Sequence, residues 1–230
     1  MKRFFLFLLV LSISPNYSIH AQQIQELSAE LSSIKDVCLR LRTGVEQISD
    51  KTVQEAYLEY QKLIEKYNIG CLTLNPEPKR PQKNDAHLIY TPDFFKRWLA
   101  QKDGVYDLYC QLDSSFNSNN NRGETKKGTI LQRNLIVKAN SVVRYRIYPH
   151  QKDYFEILVI SEPFTKFSAR LHELFKNNGI TQEKHYNLVK RPNEGSSCVE
   201  YALSYNGLHQ YEIELSNNTN KDISIVIFTK

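Results

Sequence analysis

Apolar residues recur at alternating intervals of three and four positions in the first third of the chain. The repeat consists of Ile24, Leu27, Leu31, Ile34, Cys38, Leu41, Val45 and Ile48. An average spacing of 3.5 residues keeps one apolar stripe of a helix facing a neighbouring helix. The pattern therefore predicts a first helix of about 25 residues with a seam like that of a coiled coil.

A second helix is predicted directly after the first. Ser49 and Thr52 offer turn and N-cap oxygens, and Glu55 is placed to complete a capping box from Thr52. The apolar positions are Val53, Tyr57, Tyr60, Ile64 and Tyr67. Gly70 stands where a left-handed C-cap is expected. Residues 22–70 are therefore predicted to form an antiparallel helical hairpin whose second helix has about 17 residues.

The unequal predicted lengths leave the start of the first helix unmatched within the hairpin. At about 1.5 Å per residue the excess is around 10 Å, so Ile24, Leu27 and Leu31 need another cover. Three covers are open: the rest of the chain, a second copy of the chain, or another protein. These three residues are the candidate partner-binding positions.

The remainder of the chain divides into a linker and one further domain. Residues 71–86 contain three prolines among polar residues, which predicts a semi-rigid linker. Within the domain 87–230, residues 92–103 predict a short amphipathic helix with Thr91 as N-cap and Trp98 as a packing anchor.

Beyond this short helix the apolar period changes from 3.6 to 2, as in β-strands. Eight such runs are predicted, over residues 106–112, 131–137, 142–148, 154–160, 167–171, 199–205, 211–215 and 223–228. Helices are scarce between these runs, which disfavours parallel βαβ units. The fold class is therefore predicted to be α+β, a helical hairpin followed by an antiparallel β-sandwich, with a jelly roll as the leading topology.

Residues 1–21 have the three parts of a signal peptide: two basic residues, an apolar stretch over about residues 4–13, and small or polar residues ending at Ala21. The apolar stretch is about half the ~20 residues that a transmembrane helix needs. We therefore expect an exported protein, periplasmic, at the cell surface or secreted, that begins at Gln22 without a transmembrane segment. A retained N-terminal anchor is the alternative, because Ile19 is larger than the residue usual at that position.

Charge adds little to this picture. The chain has 30 basic and 25 acidic residues, and removal of Lys2 and Arg3 with the signal peptide leaves a net charge of +3. The densest basic group, Lys79, Arg80 and Lys83, lies among prolines in the linker. Nucleic acid is therefore not an expected partner.

The four cysteines, Cys38, Cys71, Cys110 and Cys198, permit two disulfides in three connectivities, or they are packed thiols. None has the Cys-x-x-Cys spacing of zinc and thioredoxin sites. Alternation turns Cys110 into the core with Leu108 and Leu112, while Cys198 is out of phase with the inward residues of its strand. A bridge between these two requires Cys198 to precede the regular strand.

Motifs for catalysis and cofactors are missing from the sequence. His172 and Glu173 are adjacent, but the second histidine of His-Glu-x-x-His is absent. Neither a Gly-x-Ser-x-Gly elbow nor a glycine-rich phosphate loop is present. The sequence predicts no catalytic residue, metal ligand or cofactor.

A binding function has more support in the sequence than a catalytic one. The fourteen tyrosines suit sugar stacking and protein contacts, although tyrosine is also an ordinary strand former. Arg144, Arg146 and Arg170 lie on the outward phase of predicted strands, as a candidate face for an acidic glycan or an acidic partner. A solvated face is the alternative.

The C-terminal run over residues 201–217, closed by 223–228, has a turn at Gly207 that leads into a strand beginning with Tyr211. It resembles the last hairpin of small jelly-roll accessory domains of secreted bacterial proteins, the pre-peptidase C-terminal and GOLD-like types. The resemblance implies a recognition module without catalytic residues. The segment between Leu174 and Cys198 departs from the compact pattern of those domains.

Together these features predict a non-catalytic bacterial envelope or secreted protein that acts in binding or assembly, through a protein partner, a homo-oligomer or a glycan. The alternative is a glycan-active or other enzyme subunit whose site forms only in three dimensions.

Export has a direct test. When the full chain is produced in a bacterium with a working secretion system, we expect the protein recovered from the envelope or medium to begin at Gln22. Intact-mass measurement and N-terminal sequencing would locate the cut. A chain that keeps residues 1–21 and stays in the cytosol would contradict the prediction.

Overall fold

The computed structural model describes residues 26–76, 130–148, 154–177, 180–187, 195–204 and 210–230. Two helices, α1 (Ala29–Glu46) and α2 (Asp50–Tyr67), come first. The strands are β1 (Gly70–Cys71), β2 (Leu131–Val137), β3 (Ser141–Ile147), β4 (Tyr154–Ser161), β5 (Ser168–Asn177), β6 (Ile180–Asn187), β7 (Cys198–Ser204), β8 (Gln210–Asn217) and β9 (Ile223–Thr229). The predicted signal peptide, the helix at 92–103 and the strand at 106–112 lie outside the described residues.

The strands form two sheets packed face to face. One has the order β1-β2-β9-β4-β7 and the other the order β3-β8-β5-β6. Every strand pair is antiparallel except that of β1 with β2. From β2 to β9 the chain alternates between the sheets at each step but one, the β5–β6 hairpin. This is jelly-roll connectivity, and it confirms the predicted α+β class of a helical pair followed by an antiparallel sandwich.

The strand predictions hold where residues alternate and fail where they do not. The predicted and observed bounds of β2 are the same, and β8 buries Tyr211, Ile213 and Leu215 between outward glutamates. The sequence did not predict β6, whose residues 181–184 are polar and exposed. Such a strand has no apolar period, so only its pairing with β5 identifies it.

The five-stranded sheet is apolar on both faces. In β9 all seven residues are buried. Ile225 and Ile227 pack into the core between the two sheets, whereas Val226 and Phe228 pack under the helices. The helical layer also buries Leu158 of β4. The cover of this strand on the helical side is thus α1 and α2.

The helical seam is confirmed within the described residues, but it does not close on the hairpin alone. Residues from both helices are fully buried, namely Leu31, Ile34, Cys38, Leu41, Val53, Tyr57 and Tyr60. They share one cluster with Ile130, Leu158, Ile160, Val226 and Phe228 of the sandwich. The hairpin is therefore a third layer of the same fold.

The predicted excess length of the first helix is wrong. Both helices have 18 residues. α1 begins only after its N-cap Ser28, so Leu27 precedes the helix, and at the other end Ile48 continues the apolar repeat into the turn after the helix has ended. Leu31 is fully buried and Leu27 is partly buried against the same cluster. The rest of the chain thus covers the start of α1 where it is described, and Leu31 presents no surface to a partner. Ile24 lies outside the described residues.

A buried carboxylate holds the start of α1 on the sheet. Ser28 is the N-cap, and its backbone N–H and its Oγ both donate to Glu156 of β4, the latter at 2.7 Å. Tyr154 Oη donates to Glu156 Oε1 at 3.2 Å and to Glu26 O at 3.1 Å. A carboxylate at a helix N-terminus satisfies free N–H groups and complements the helix dipole.

Three boundaries differ from the sequence predictions. The N-cap of α2 is Ser49, whose Oγ accepts from Thr52 N at 3.5 Å, so Thr52 does not begin a capping box. Asn68 supplies the left-handed C-cap, with φ of 46°, and Gly70 instead starts β1. The predicted linker already belongs to the sandwich at its start, because Leu72 and Leu74 are buried in the core between the sheets.

A buried arginine joins the hairpin to the other end of β4. Arg42 of α1 donates to the carbonyl oxygens of Ser161, Glu162 and Thr165, at 3.0, 2.8 and 3.1 Å. Its guanidinium also lies 2.8 Å from the carboxylate of Glu46, one turn further along the helix. We call these contacts the Arg42 clamp.

Neither helix of the described residues is long and apolar enough to cross a membrane.

The clamp can be tested by replacing Arg42 with Met, which keeps most of the side-chain volume. Three carbonyl oxygens lose a buried donor, so we expect the free energy of unfolding to fall by about 3 kcal/mol. Chemical denaturation monitored by circular dichroism would measure it. The matched control is Arg40→Met, because Arg40 is half exposed and pairs with Glu59 at the surface, where the expected cost is below ~1 kcal/mol. Equal losses in the two variants would contradict the clamp.

Candidate functional site

The outer face of the four-stranded sheet carries the predicted arginines. Cross-strand register places Arg144 opposite Glu214 and Arg146 opposite Glu212, and on the other side of β8 it places Arg170 opposite Glu214. Since β3 and β5 both flank β8, the three arginines share one face, which we call the charged face. The outward phase of each arginine followed from the residue pattern, and the strand order brings the three together.

Glutamates neutralise this face. Arg144 lies 2.9 Å from Glu214 and 3.1 Å from Glu183 of β6. Arg146 lies 3.2 Å from Glu212, and Arg170 lies 3.9 Å from Glu214. Three arginines therefore meet three glutamates. Among the described side chains, the charged face is a network of paired charges.

His172 lies beneath this network and is fully buried. Its Nδ1 is 2.6 Å from Glu183 Oε1, and its Nε2 is 3.2 Å from Glu214 Oε2. Burial, together with the nearby Arg144 charge, lowers the pKa of His172 in spite of the two carboxylates. His172 is therefore neutral at pH 7 and acts as a polar centre under the charges.

Sequence reasoning missed the role of His172 because it compared the residue with its neighbour in the chain. Glu173 points to the opposite side of β5, where its Oε1 accepts from Tyr211 Oη at 3.0 Å inside the sandwich. The useful signal was the outward phase that His172 shares with Arg170. Among the described residues no cluster of histidine, cysteine and acidic side chains has the arrangement of a metal site.

A second surface lies at the end of the molecule where α1 stops. Ile48, in the turn between the helices, and Phe164, in the turn after β4, are each 74% exposed. Their φ angles are 55° and 61°. Left-handed backbone is unfavourable for a β-branched or aromatic residue, and it persists only where the surrounding structure enforces it. We call Ile48 and Phe164 the apolar tip.

Two different sets of contacts hold this backbone. Ile48 follows the C-cap of α1 in a C-terminal motif in which Ser49 N donates to Gly44 O at 2.8 Å and Ile48 N donates to Val45 O at 3.2 Å. At Phe164 the Arg42 clamp holds the turn, because Phe164 N donates to Glu46 Oε1 at 2.9 Å and Arg42 holds carbonyl groups on both sides of Phe164. The Phe164 turn is thus joined to the end of α1, and both apolar side chains are exposed. Sequence reasoning counted Ile48 as a seam residue and did not single out Phe164.

No protein-family model and no curated protein matches the chain. Solved structures match parts of it with low similarity. A de novo designed double-stranded β-helix is 14% identical, with a TM-score of 0.24, over 43% of this chain and 97% of its own. The Yersinia pseudotuberculosis-derived mitogen is 10% identical, with a TM-score of 0.29, over 44% of this chain and 84% of its own.

A third structure, the enzymatically active domain of bacteriophage CBA120 tailspike protein 4, is 14% identical with a TM-score of 0.23. The match covers 44% of this chain and 19% of that one. Structural similarity at these TM-scores does not indicate a function for the chain.

The charged face predicts a pH dependence of stability. Because the pKa of His172 is lower in the folded chain than its ordinary value of about 6.5, the unfolded chain binds a proton first as the pH falls. The contribution of His172 to the free energy of unfolding is then present above pH 6.5 and lost below it. The free energy of unfolding falls by at most ~1.4 kcal/mol per pH unit from this group. In His172→Gln we expect a shallower fall between pH 7 and 5, measured by urea unfolding at each pH.

Glu214 causes a separate loss of stability at lower pH. Burial alone would raise its pKa, but Arg144, His172 and Arg170 together lower it, so its contribution is lost only as the pH falls below about 4.5. The losses of stability caused by His172 and by Glu214 therefore occur in different pH ranges. Parallel curves for the wild type and His172→Gln between pH 7 and 5 would contradict the assignment to His172.

Proposed function

We propose that this chain is an exported, non-catalytic bacterial binding protein that contacts a protein partner through the apolar tip. The observation that supports it is the pair Ile48 and Phe164, two large apolar side chains that are 74% exposed on left-handed backbone. Backbone strain of this kind costs on the order of 1–3 kcal/mol per residue. Such a cost is typical of functional positions, where surrounding contacts hold the conformation.

The tip has the properties of a binding anchor. Phenylalanine and isoleucine supply apolar area that is stabilising once it leaves water. Because the Arg42 clamp fixes the Phe164 turn and the C-terminal backbone bonds of α1 fix the Ile48 turn, little backbone conformational entropy remains to be lost on binding. An interface built around a few rigid apolar anchors fits the usual concentration of binding energy in a small number of residues.

The other two candidate surfaces have less support as binding sites. The arginines of the charged face are paired with glutamates of the same face, and the start of α1 is covered by the sheet. The proposed contact therefore lies at the end of α1 opposite to the one that the sequence indicated, roughly 27 Å away along 18 residues. The resemblance of the C-terminal hairpin to accessory domains supports a binding role, and the features of residues 1–21 support export.

Photo-crosslinking in the native bacterium can test the tip. A photoreactive phenylalanine analogue placed at position 164, or separately at position 48, is expected to capture the same envelope protein. Mass spectrometry would identify the adduct. The matched controls are positions 142 and 180, because Val142 and Ile180 are also exposed, at 60% and 68%, but lie on the four-stranded sheet.

The adduct is expected to disappear when the companion tip residue becomes polar, as in Ile48→Asn with the crosslinker at 164. Asparagine tolerates left-handed backbone, so this change removes the apolar contact without adding strain. Adducts of equal yield at the tip and at the controls, or none at the tip, would contradict the proposal. A crosslink to a second copy of the chain would replace a foreign partner by self-association.

A further inference from the structure

Two of the four cysteines lie in the layer between α1 and the five-stranded sheet, although they are far apart in the chain. Cys38 lies on α1 and is fully buried. Cys198 is the first residue of β7 and is partly buried against the same cluster as Cys38. Both are free thiols in the structure, as is the exposed Cys71.

An ion pair fixes how α1 and β7 face each other at this point. Lys35 Nζ lies 2.8 Å from Glu200 Oε2. Lys35 precedes Cys38 by about one helical turn, and Glu200 follows Cys198 by two residues on the same face of its strand. The contact therefore places Cys38 and Cys198 on facing surfaces.

Strand register gives the same orientation independently. Cys198 is paired with Ile160 of β4, and directly paired residues share a face of the sheet. Ile160 is fully buried in the helical layer. Cys198 thus faces the helices, whereas the predicted phase of Cys110 points into the sandwich. Cys110 lies outside the described residues, and among the described cysteines Cys38 lies on the side of the sheet that Cys198 faces.

The titration of the two thiols is consistent with this closeness. Burial, with a contribution from the Cys198 sulfur, raises the pKa of Cys38 well above its ordinary value. Burial, with a contribution from Glu200, raises the pKa of Cys198 to about 11. Both groups are protonated at neutral pH, which suits a slow structural pairing and not a reactive catalytic thiol.

We propose that Cys38 and Cys198 form a disulfide under oxidising conditions and so join α1 covalently to β7. The more accessible Cys198 thiolate attacks a small-molecule disulfide such as oxidised glutathione, forms a mixed disulfide and releases one glutathione thiolate. The Cys38 thiolate then attacks the Cys198 sulfur and releases the second. Two cysteine thiols are oxidised, one glutathione disulfide is reduced, and the two cysteine protons end on the two glutathione thiols.

Peptide mapping tests the pairing on the purified full chain, independently of any partner at the apolar tip. The reduced protein is equilibrated with oxidised glutathione, its remaining thiols are alkylated, and it is digested with trypsin without reductant. Each cysteine falls in its own tryptic peptide, over residues 36–40, 67–79, 103–122 and 191–221. We expect peptide 36–40 linked to peptide 191–221. A link of either peptide to 103–122 or 67–79, or alkylation of all four cysteines, would overturn the proposal.

Thermal unfolding tests the consequence. Oxidation is expected to raise the Tm of the wild type by on the order of 5–10 °C, because the bond closes a long loop in the unfolded chain. The rise should vanish in Cys38→Ala and in Cys198→Ser, and persist in the matched control Cys71→Ser. Comparing oxidised and reduced forms of each variant separates the bond from any cost of the substitution itself. Oxidation that raises the Tm equally in all three variants would overturn the assignment.

Discussion

The fold depends on a sheet that is apolar on both faces. One face of the β1-β2-β9-β4-β7 sheet is covered by the second sheet and the other by α1 and α2. The helical side buries five large residues of the sandwich, Ile130, Leu158, Ile160, Val226 and Phe228. Each contributes about 1.5–3 kcal/mol on burial, so together they contribute roughly 7.5–15 kcal/mol, which is an upper estimate because the unfolded chain already buries part of this surface. That is comparable with the whole net stability of a typical domain, ~5–15 kcal/mol. The helices are therefore needed for the sandwich to be stable in water.

Two polar contacts fix the position of the helical layer, because apolar burial alone is not directional. Glu156 holds the start of α1, and Arg42 holds its end. Buried charges are costly unless they are fully paired, which is why each has several partners. The Arg42 end has a further effect: its contacts hold the left-handed turn of Phe164 against the end of α1, close in the chain to the exposed Ile48. The contacts that orient the helices thus also hold the Phe164 part of the apolar tip.

Sequence reasoning was most reliable where an apolar period existed. It predicted the helical pair and the strands from β2 to β5 and from β7 to β9, because burial on one or both faces leaves a period of 3.5 or 2 in the residues. It failed for β6, whose polar residues have no period, and for the length of α1, because the apolar spacing extends beyond the helix at both ends, to Leu27 before it and Ile48 after it. It placed the three arginines on an outward phase but missed that Glu212 and Glu214 lie between them, since strand order is not a local property.

The sequence by itself determined the class of fold, the sites of the main elements and the absence of known catalytic motifs, because these follow from local patterns of residues. The tertiary structure decided which of these residues are buried and which are exposed at the surface. Only the packing of α1 on the sheet shows that Leu31 is core and that Cys38 and Cys198 share the helical layer. Only the meeting of two turns, whose residues lie 118 positions apart in the Glu46–Phe164 contact, identifies the apolar tip. Contacts between residues so distant in the chain depend on the global arrangement of strands and helices, which a local pattern does not encode.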